Sequence, residues 1–390
     1  MDASGPVDAP RASRPERTEC MGAKVYSEMF GRRMLRRSAS SRAGGFEVGL
    51  LIPVSGPMGM LGPSALACAR LACETWNAAG GVRGREVRLT VLDAGEPSAR
   101  LESELDRLLD DKRLDALVTM STTPVGHRVS EVVDARVPMV FTTQFEGSGL
   151  PAWVHAIGET PDRQLLPAIS WMAEHCGVHR WYLLGNDYCW PRHTHRAAAA
   201  HLHGMGAQVV GERYVPLGER VFEPVVEDIA RTRADVVLIS LIGADSVHMC
   251  RAFGEAGLAG RVLRLSSSIE ENALLGMGYR NTAGMFAASG YFPSIESAAN
   301  ADFKERYHAR FGERAPALNS LAQSVYEGLV HLQRQTLDHD QPPRREPTLA
   351  SVRTQRRRDS GYGADPVFLA QADGLTMRVI QPLEAASARR

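Results

Sequence analysis

Hydroxyl side chains cluster where one apolar segment ends and a helix is predicted to begin. Ser121, Thr122 and Thr123 follow the apolar stretch 115–120 and precede a helix predicted over 124–134. Hydroxyl groups beside the unpaired N–H groups of a helix N-terminus bind acceptor oxygens, such as those of a carboxylate or an amide carbonyl. Ser and Thr also favour this position as simple helix caps. The pattern therefore leaves two interpretations, an acceptor-binding pocket or a cap.

Residue types typical of metal sites and of catalysis occur without the neighbours they need. His193 and His195, like His201 and His203, lie two apart on a predicted helix, so the members of a pair do not share a face. The six scattered cysteines form no C-x-x-C, and the sequence has no phosphate loop, no G-x-S-x-G and no H-E-x-x-H. We expect a protein that is not an enzyme and that holds neither a metal nor a cofactor.

The composition is that of a soluble globular protein. Of its 390 residues 44% are hydrophobic and 23% are charged, and 45 Lys and Arg balance 45 Asp and Glu. A net charge of zero argues against direct binding of nucleic acid through its phosphates. No run approaches the roughly 20 apolar residues that a membrane span needs. Scattered cysteines fit a reducing compartment, although one disulfide stays compatible with their number.

Residues 1–45 are predicted to be a disordered basic tail. They carry nine basic and five acidic side chains with almost no apolar periodicity. They also lack the apolar run of roughly 7–15 residues that a secretory signal requires, which favours a cytoplasmic location. Two alternatives stay open, a basic tail that binds nucleic acid and a true start at Met21 or Met34. A misassigned start would be compatible with a periplasmic or cell-surface protein.

From residue 46 onward the sequence alternates between strand and helix patterns. Such alternation predicts parallel sheets with helices on both faces, and the rhythm restarts near residue 160. We therefore predict an α/β fold of two Rossmann-like lobes. Lobe I is assigned to 46–158 plus 288–337, and lobe II to 159–287 plus 338–385. Asp373-Gly374 between two apolar runs predicts a β-hairpin near the end of the chain.

Three segments are similar to a known family. The run 49–93 contains Asn-Ala-Ala-Gly-Gly-Val-Arg-Gly-Arg at 77–85, and two further elements are Phe-Thr-Thr-Gln-Phe-Glu-Gly at 141–147 and Gly-Asn-Asp-Tyr-Cys-Trp-Pro-Arg at 185–192. Together they resemble the type I periplasmic-binding-protein fold, in the branch that binds branched-chain amino acids, urea and short amides. Within that branch the chain looks most like the cytoplasmic amide sensors that regulate aliphatic amidase operons. The resemblance implies crossover hinge strands between the lobes and a ligand cleft between them.

The resemblance also implies which residues contact the ligand. It favours the pocket interpretation for the first hydroxyl cluster and adds one residue from lobe I and four from lobe II. The implied ligand-binding residues are Ser121, Thr122, Thr123, Thr143, Tyr188, Gly243, Ser267 and Ser268. Amino-acid binders of the family place a carboxylate about where Ser268 stands. Without that counter-charge a neutral ligand is favoured, because an unpaired ammonium is costly to desolvate.

For two of these residues an ordinary structural role stays open. Thr143 also fits strand-end β propensity, and Tyr188 also fits a half-buried loop tyrosine. The expected function is a sensor of a short amide or urea-like molecule that controls amide or nitrile metabolism genes through a partner protein. The resemblance implies an RNA-binding antiterminator as that partner, and we expect a homo-oligomer. The alternative is the substrate-binding subunit of an ABC transporter for amides, urea or branched-chain amino acids.

Overall fold

The computed structural model describes residues 44–96, 98–338, 349–353 and 366–384. The tail predicted over 1–45 falls outside these ranges except for its last two residues. Residues 339–348 and 354–365 also lie outside them. Within the described residues no helix is long and apolar enough to cross a membrane.

The first sheet has five parallel strands in the order β2-β1-β3-β4-β5. Its strands are β1 (Phe46–Ile52), β2 (Val87–Asp93), β3 (Ala116–Thr119), β4 (Met139–Phe141) and β5 (Val154–Ala156). Its helices are α1 (Gly62–Ala78), α2 (Ser98–Asp110) and α3 (Thr123–Val133). Strand β1 is apolar almost throughout and buried on both faces, as expected for the centre of a parallel sheet covered on both sides.

The predicted Asn-Ala-Ala-Gly-Gly element joins α1 to β2. Gly80 and Gly81 adopt positive φ values of 99° and 64°, the left-handed conformation that glycine adopts without a steric penalty. The Asn77 side chain then bonds both backbone groups of Val87, donating to its carbonyl at 2.8 Å and accepting from its N–H at 2.7 Å. This element therefore fixes the start of the second strand against the end of the first helix.

The second sheet has seven strands in the order β12-β11-β10-β9-β8-β6-β7. Its strands are β6 (Arg180–Asn186), β7 (Gln208–Val215), β8 (Val236–Ser240), β9 (Leu263–Ser266), β10 (Met285–Ser289), β11 (Val367–Asp373) and β12 (Thr376–Leu383). Its helices are α4 (Pro161–Cys176), α5 (Cys189–Gly204), α6 (Glu223–Thr232), α7 (Ala244–Glu255) and α8 (Glu271–Met277). Strands β11 and β12 form the predicted antiparallel hairpin, which is thereby confirmed.

Two long helices return to the first sheet. Helices α9 (Ala298–Phe311) and α10 (Ser320–Asp338) pack on α1, and Phe303 and Tyr326 lie in the same core as β1. Leu349 and Val352 also pack in this core. The short segment 349–353 therefore contacts lobe I, whereas the predicted boundary gave everything after 337 to lobe II. The predicted boundary after 287 also divides β10, which lies wholly in the second sheet.

The chain crosses between the two lobes after β5, after β10 and before β11. Glu159 follows β5, and its Oε1 accepts the Gly290 N–H of the second crossing at 2.9 Å. The same oxygen accepts from Arg353 Nη1 at 2.9 Å, and both charged side chains are largely buried. A single carboxylate therefore ties together segments of all three crossings. The predicted fold of two α/β lobes with crossover connections is confirmed.

Candidate functional site

A cavity lies between the two lobes, at the carboxyl ends of their strands. It encloses about 320 Å³ of empty volume, part of which is open to solvent. Lobe I lines it with Met58, Ser121, Thr122, Thr123, Thr143, Gln144 and Leu321. Lobe II lines it with Tyr188, Trp190, Ile242 and Ser268. None of these eleven side chains carries a formal charge at neutral pH, and six of the eight predicted ligand-binding residues are among them.

The predicted hydroxyl cluster lies where β3 ends and α3 begins. Thr122 is the N-cap residue of α3, but its side chain makes no capping hydrogen bond, so the simple-cap interpretation does not describe it. Thr123 is buried, and its Oγ1 has no hydrogen-bond partner within the described residues. Ser121 Oγ accepts from Thr119 Oγ1 at 3.0 Å, which leaves its own proton available. Ser121 and Thr123 therefore both offer hydroxyl donors beside a helix N-terminus.

Thr143 plays the opposite chemical role in the same wall. Its hydroxyl donates to the Ser121 carbonyl at 2.7 Å and so holds two neighbouring strand ends together. A threonine hydroxyl has one proton and two lone pairs, so Thr143 can only accept a further hydrogen bond. Ser268 in lobe II is in the same position, because its Oγ donates to the Leu241 carbonyl at 2.9 Å. The cavity therefore combines hydroxyl donors with hydroxyl acceptors.

Tyr188 and Trp190 form the aromatic part of the lobe II wall. Tyr188 directly precedes α5, and its ring stacks with that of Trp190 at a centroid distance of 6.4 Å. Trp190 is 4% exposed and packs in the core of lobe I together with Ile242. Burial raises the pKa of Tyr188 well above its usual value, so the phenol stays neutral and can both donate and accept. Trp190 and Ile242 are therefore buried by contact with the other lobe, and Tyr188 is partly buried there.

Two buried glutamates lie close behind Ser268 but do not line the cavity. Glu270 Oε2 accepts the N–H of Leu321, at the start of α10, at 3.1 Å. Burial raises the pKa of Glu270 to about 8, and burial together with the neighbouring Glu270 charge raises the pKa of Glu271 to about 8. Burial therefore favours the neutral form of both carboxyl groups. The predicted absence of a fixed counter-charge at Ser268 stays a prediction.

The remaining two predicted residues lie outside the cavity lining. The Ser267 carbonyl accepts from Gln144 Nε2 across the lobe boundary and from Gln164 Nε2 at 3.3 Å. Gly243 faces the backbone of Pro57 instead of the cavity. Both therefore contribute to contacts between or within the lobes, and their predicted role as ligand contacts stays a prediction.

Five lining residues were not predicted. Two of them had a signal in the sequence, because Gln144 directly follows Thr143 and Trp190 lies within the 185–192 element. The other three are Met58, Ile242 and Leu321, apolar residues at loop or helix starts. Nothing in their local sequence distinguishes them from core residues. In the described part of the chain no group of three His, Cys, Asp or Glu side chains is placed to hold a metal ion.

The fold and the cavity define a class: a two-lobed α/β protein that encloses a small ligand between its lobes. Residues 45–386 match the periplasmic binding protein family, and the chain belongs to that family. The similarity covers both lobes and all the cavity residues. The chain is therefore a ligand-binding protein of the type I periplasmic-binding-protein fold.

Solved structures of solute-binding proteins share the fold over almost their whole length. One is an ABC transporter solute-binding protein from R. palustris in complex with 4-hydroxybenzoate, with a TM-score of 0.73 and 18% identity, covering 87% of this chain and 97% of that chain. Another is the branched-chain amino acid transporter substrate-binding protein LivJ from Streptococcus pneumoniae in complex with isoleucine, with a TM-score of 0.71, 13% identity and coverages of 87% and 100%. A third is a fatty acid ABC transporter substrate-binding protein from Thermomonospora curvata, with a TM-score of 0.73, 15% identity and coverages of 89% and 94%.

Proposed function

We propose that this protein is the substrate-binding subunit of an ABC transporter for a small neutral amide or urea-like solute. Support for the transport role comes from the solved neighbours, which are solute-binding proteins of ABC transporters and which cover 87% and 89% of this chain. A location outside the cytoplasmic membrane follows from that role and is part of the proposal. So is the absence of catalysis, since the cavity residues bind and orient but include no base beside a nucleophile.

The observation that carries the ligand class is the pairing of hydroxyl donors with hydroxyl acceptors. The hydroxyls of Ser121 and Thr123 are available to donate a hydrogen bond, whereas those of Thr143 and Ser268 already donate to backbone carbonyls. A primary amide presents one carbonyl acceptor and two N–H donors, and urea presents one carbonyl and four N–H donors, so either one matches both halves. A carboxylate would satisfy the donors but would leave the acceptor hydroxyls facing an oxygen that has no proton to give.

The cavity also argues against an amino acid as the ligand. Its ammonium would have to be desolvated in a cavity whose lining includes no carboxylate, and burial raises the pKa of Glu270 and of Glu271, which follow Ser268, to about 8. The apolar side chains of Met58, Trp190 and Leu321 would instead contact the alkyl part of an amide. The cavity is small, which favours a ligand with a short chain.

Calorimetry with a matched ligand set tests the proposal. Isobutyramide, isobutyrate and valine share an isopropyl group but present an amide, a carboxylate and a zwitterion. We expect micromolar binding of isobutyramide or of urea, and binding at least about tenfold weaker for the other two. Tight binding of valine or isobutyrate without binding of either amide would contradict the proposed ligand class.

The transport role needs a separate measurement in cells. Deleting the gene should abolish uptake of the labelled amide that the purified protein binds, while expression of an amidase stays unchanged. Unchanged uptake together with altered amidase expression would instead support the amide sensor that the sequence resembles, acting through a regulator protein. Both roles use the same cavity, so the two experiments test the ligand and the partner independently.

A further inference from the structure

One loop of lobe I docks directly on a helix N-terminus of lobe II. The loop follows β1, and the carbonyl of Pro57 accepts the N–H of Ala244, the first residue of α7, at 2.8 Å. Ala244 N–H belongs to the first turn of a helix, so it has no intrahelical partner to lose. A backbone group of one lobe therefore satisfies a backbone group of the other lobe.

Gly243 makes this approach possible. It has φ +57° and ψ −129°, a combination that residues with a Cβ avoid. A Cβ placed at this position would lie 2.2 Å from the Pro57 carbonyl oxygen and 3.0 Å from Met58 Cα. Both are contacts with backbone, which cannot move aside as the end of a flexible side chain would. The lobe I loop thus occupies the space that a side chain at position 243 would fill.

The docked backbone borders the ligand cavity on both sides. Met58, which follows Pro57, lines the cavity from lobe I, and Ile242, which precedes Gly243, lines it from lobe II. Both side chains are at most 8% exposed. Separation of Pro57 from Ala244 would therefore open the cavity between these two side chains.

We infer that Gly243 and the Ala244 N–H form a closure clamp that holds the Pro57 carbonyl and thereby keeps the two lobes together around the cavity. Gly243 is then a positioning residue, which sets ligand affinity through lobe closure and does not itself touch the ligand. The inference rests on the proposed function as a binding protein that closes on its ligand. It does not depend on which ligand is bound, because every contact in the clamp is between backbone groups of the chain.

Gly257 provides a matched control, because it lies just beyond the other end of the same helix. Its φ of +69° is also positive, but a Cβ there would meet no atom within 4 Å. A second variant, Ala244→Pro, removes the N–H donor itself. Proline is tolerated at the first position of a helix, so this change should leave α7 intact.

Hydrogen exchange of the free protein, read by mass spectrometry on a peptide covering residues 55–62, tests the clamp without any ligand. We expect exchange about three- to tenfold faster in Gly243→Ala and in Ala244→Pro, which is the range that corresponds to one net hydrogen bond. Gly257→Ala should exchange at the wild-type rate. Circular dichroism checks that each variant is folded. If Gly243→Ala does not fold, the exchange rate of Ala244→Pro alone tests the clamp.

Three results would overturn the clamp. They are equal acceleration in Gly243→Ala and Gly257→Ala, unchanged exchange in Ala244→Pro, and a wild-type peptide that exchanges as fast as an unprotected chain. None of them depends on whether isobutyramide or urea binds. A failed ligand screen with intact protection of this peptide would therefore contradict the proposed ligand class and leave the clamp standing.

Discussion

The two walls of the cavity are built in different ways. The lobe I wall holds its Ser121 and Thr143 hydroxyls through hydrogen bonds within lobe I, as between Thr143 and the Ser121 carbonyl. The aromatic and aliphatic part of the lobe II wall is buried in the core of the other lobe, where Trp190 and Ile242 both pack. These hydroxyls of the first wall therefore need only lobe I to be folded, whereas this part of the second wall is complete only when the lobes meet.

This difference separates recognition from closure. Polar groups fixed in advance lose little entropy when a ligand binds, so they select its chemistry at low cost. Apolar side chains that are buried only on closure contribute a driving force that does not depend on the ligand's polar groups. We therefore expect substitutions in the lobe I wall to change which ligand binds, and substitutions of the closing side chains to weaken every ligand alike.

The largest expected effect concerns two buried tryptophans. Trp181 lies in the core of lobe II, whereas Trp190, which also belongs to lobe II, packs in the core of lobe I. Truncating a buried tryptophan to alanine costs about 3–5 kcal/mol. In Trp181→Ala that loss should appear in the free energy of unfolding measured by urea denaturation. In Trp190→Ala it should appear mainly as a loss of isobutyramide affinity of 100-fold or more in calorimetry. A Trp190→Ala variant with normal affinity and stability lowered as in Trp181→Ala would show that the lobes do not separate.

Two tyrosines give the next largest contrast. Tyr182 is fully buried in β6 and donates to Asp228 Oδ2 at 2.6 Å, whereas Tyr188 lines the cavity. Tyr188→Ala should weaken isobutyramide binding by about 2–4 kcal/mol, because an aromatic wall and one hydrogen bond are lost, with little change in stability. Tyr182→Ala should lower the free energy of unfolding and leave the affinity of the folded protein nearly unchanged. Calorimetry measures the affinity and urea denaturation the stability of both variants. Unchanged affinity in Tyr188→Ala would show that Tyr188 does not contact the ligand and would assign the aromatic contact to Trp190.

The two walls also differ in how far the sequence predicts them. Ser121, Thr122, Thr123 and Thr143 follow strands of one parallel sheet, and the carboxyl ends of such strands meet at one edge. Strand order and hydroxyl chemistry therefore suffice to place them together. Met58, Ile242 and Leu321 line the cavity only because two lobes meet there. No local pattern encodes that meeting, so these three residues could not be predicted.

The fold shows the same division between local and long-range signals. Long apolar segments such as β1 and β8 carry a clear strand signal, because turn residues mark their ends. Strand β5 has three residues and pairs with one neighbour at the sheet edge, so it carries no periodic pattern. Helix α4 gives a weak signal, because it contains Pro167, a residue that weakens any helical pattern. The role of Gly243 depends on the position of Pro57, almost 190 residues earlier in the chain.

Glu270 of lobe II forms a hydrogen bond to lobe I, and its titration makes this contact depend on pH. Its carboxyl group in lobe II accepts the N–H of Leu321 in lobe I, and burial raises its pKa from 4.5 to about 8. Between these pH values the folded protein keeps a proton that the unfolded chain has lost. Unfolding then releases a proton, so this group's contribution to stability is full at low pH and falls as the pH rises from about 4.5 to 8.

Glu270→Gln tests this dependence, because the amide keeps the size and an acceptor oxygen but does not titrate. Wild-type stability should fall between pH 5 and pH 9 by roughly 1–3 kcal/mol more than that of the variant, in urea denaturation at fixed ionic strength. The neighbouring Glu270 charge also raises the pKa of Glu271, so the difference reports the Glu270 proton together with its coupling to Glu271. Parallel pH profiles for the two proteins would show that the carboxyl group does not hold its proton in the folded state.

The smallest expected effect is the one that tests recognition most directly. Thr123 and Thr194 are both about 1% exposed, and within the described residues neither hydroxyl has a hydrogen-bond partner. Thr194 lies in α5, away from the cavity lining, whereas Thr123 lines it. An unpartnered buried hydroxyl is unfavourable, so replacing either threonine with valine should raise the free energy of unfolding of the ligand-free protein by about 1 kcal/mol.

Only one of the two changes should affect the ligand. If Thr123 donates to an amide carbonyl, Thr123→Val should weaken isobutyramide binding by about 0.5–1.5 kcal/mol, and a loss of about 1.5–3 kcal/mol would instead indicate a charged acceptor. Thr194→Val should bind as the wild type does. If Thr123→Val is more stable but binds isobutyramide more weakly, and Thr194→Val is only more stable, the Thr123 hydroxyl binds the ligand and lowers the stability of the ligand-free protein. Equal affinities in the two variants would assign Thr123 to packing and leave Ser121 as the donor in this wall.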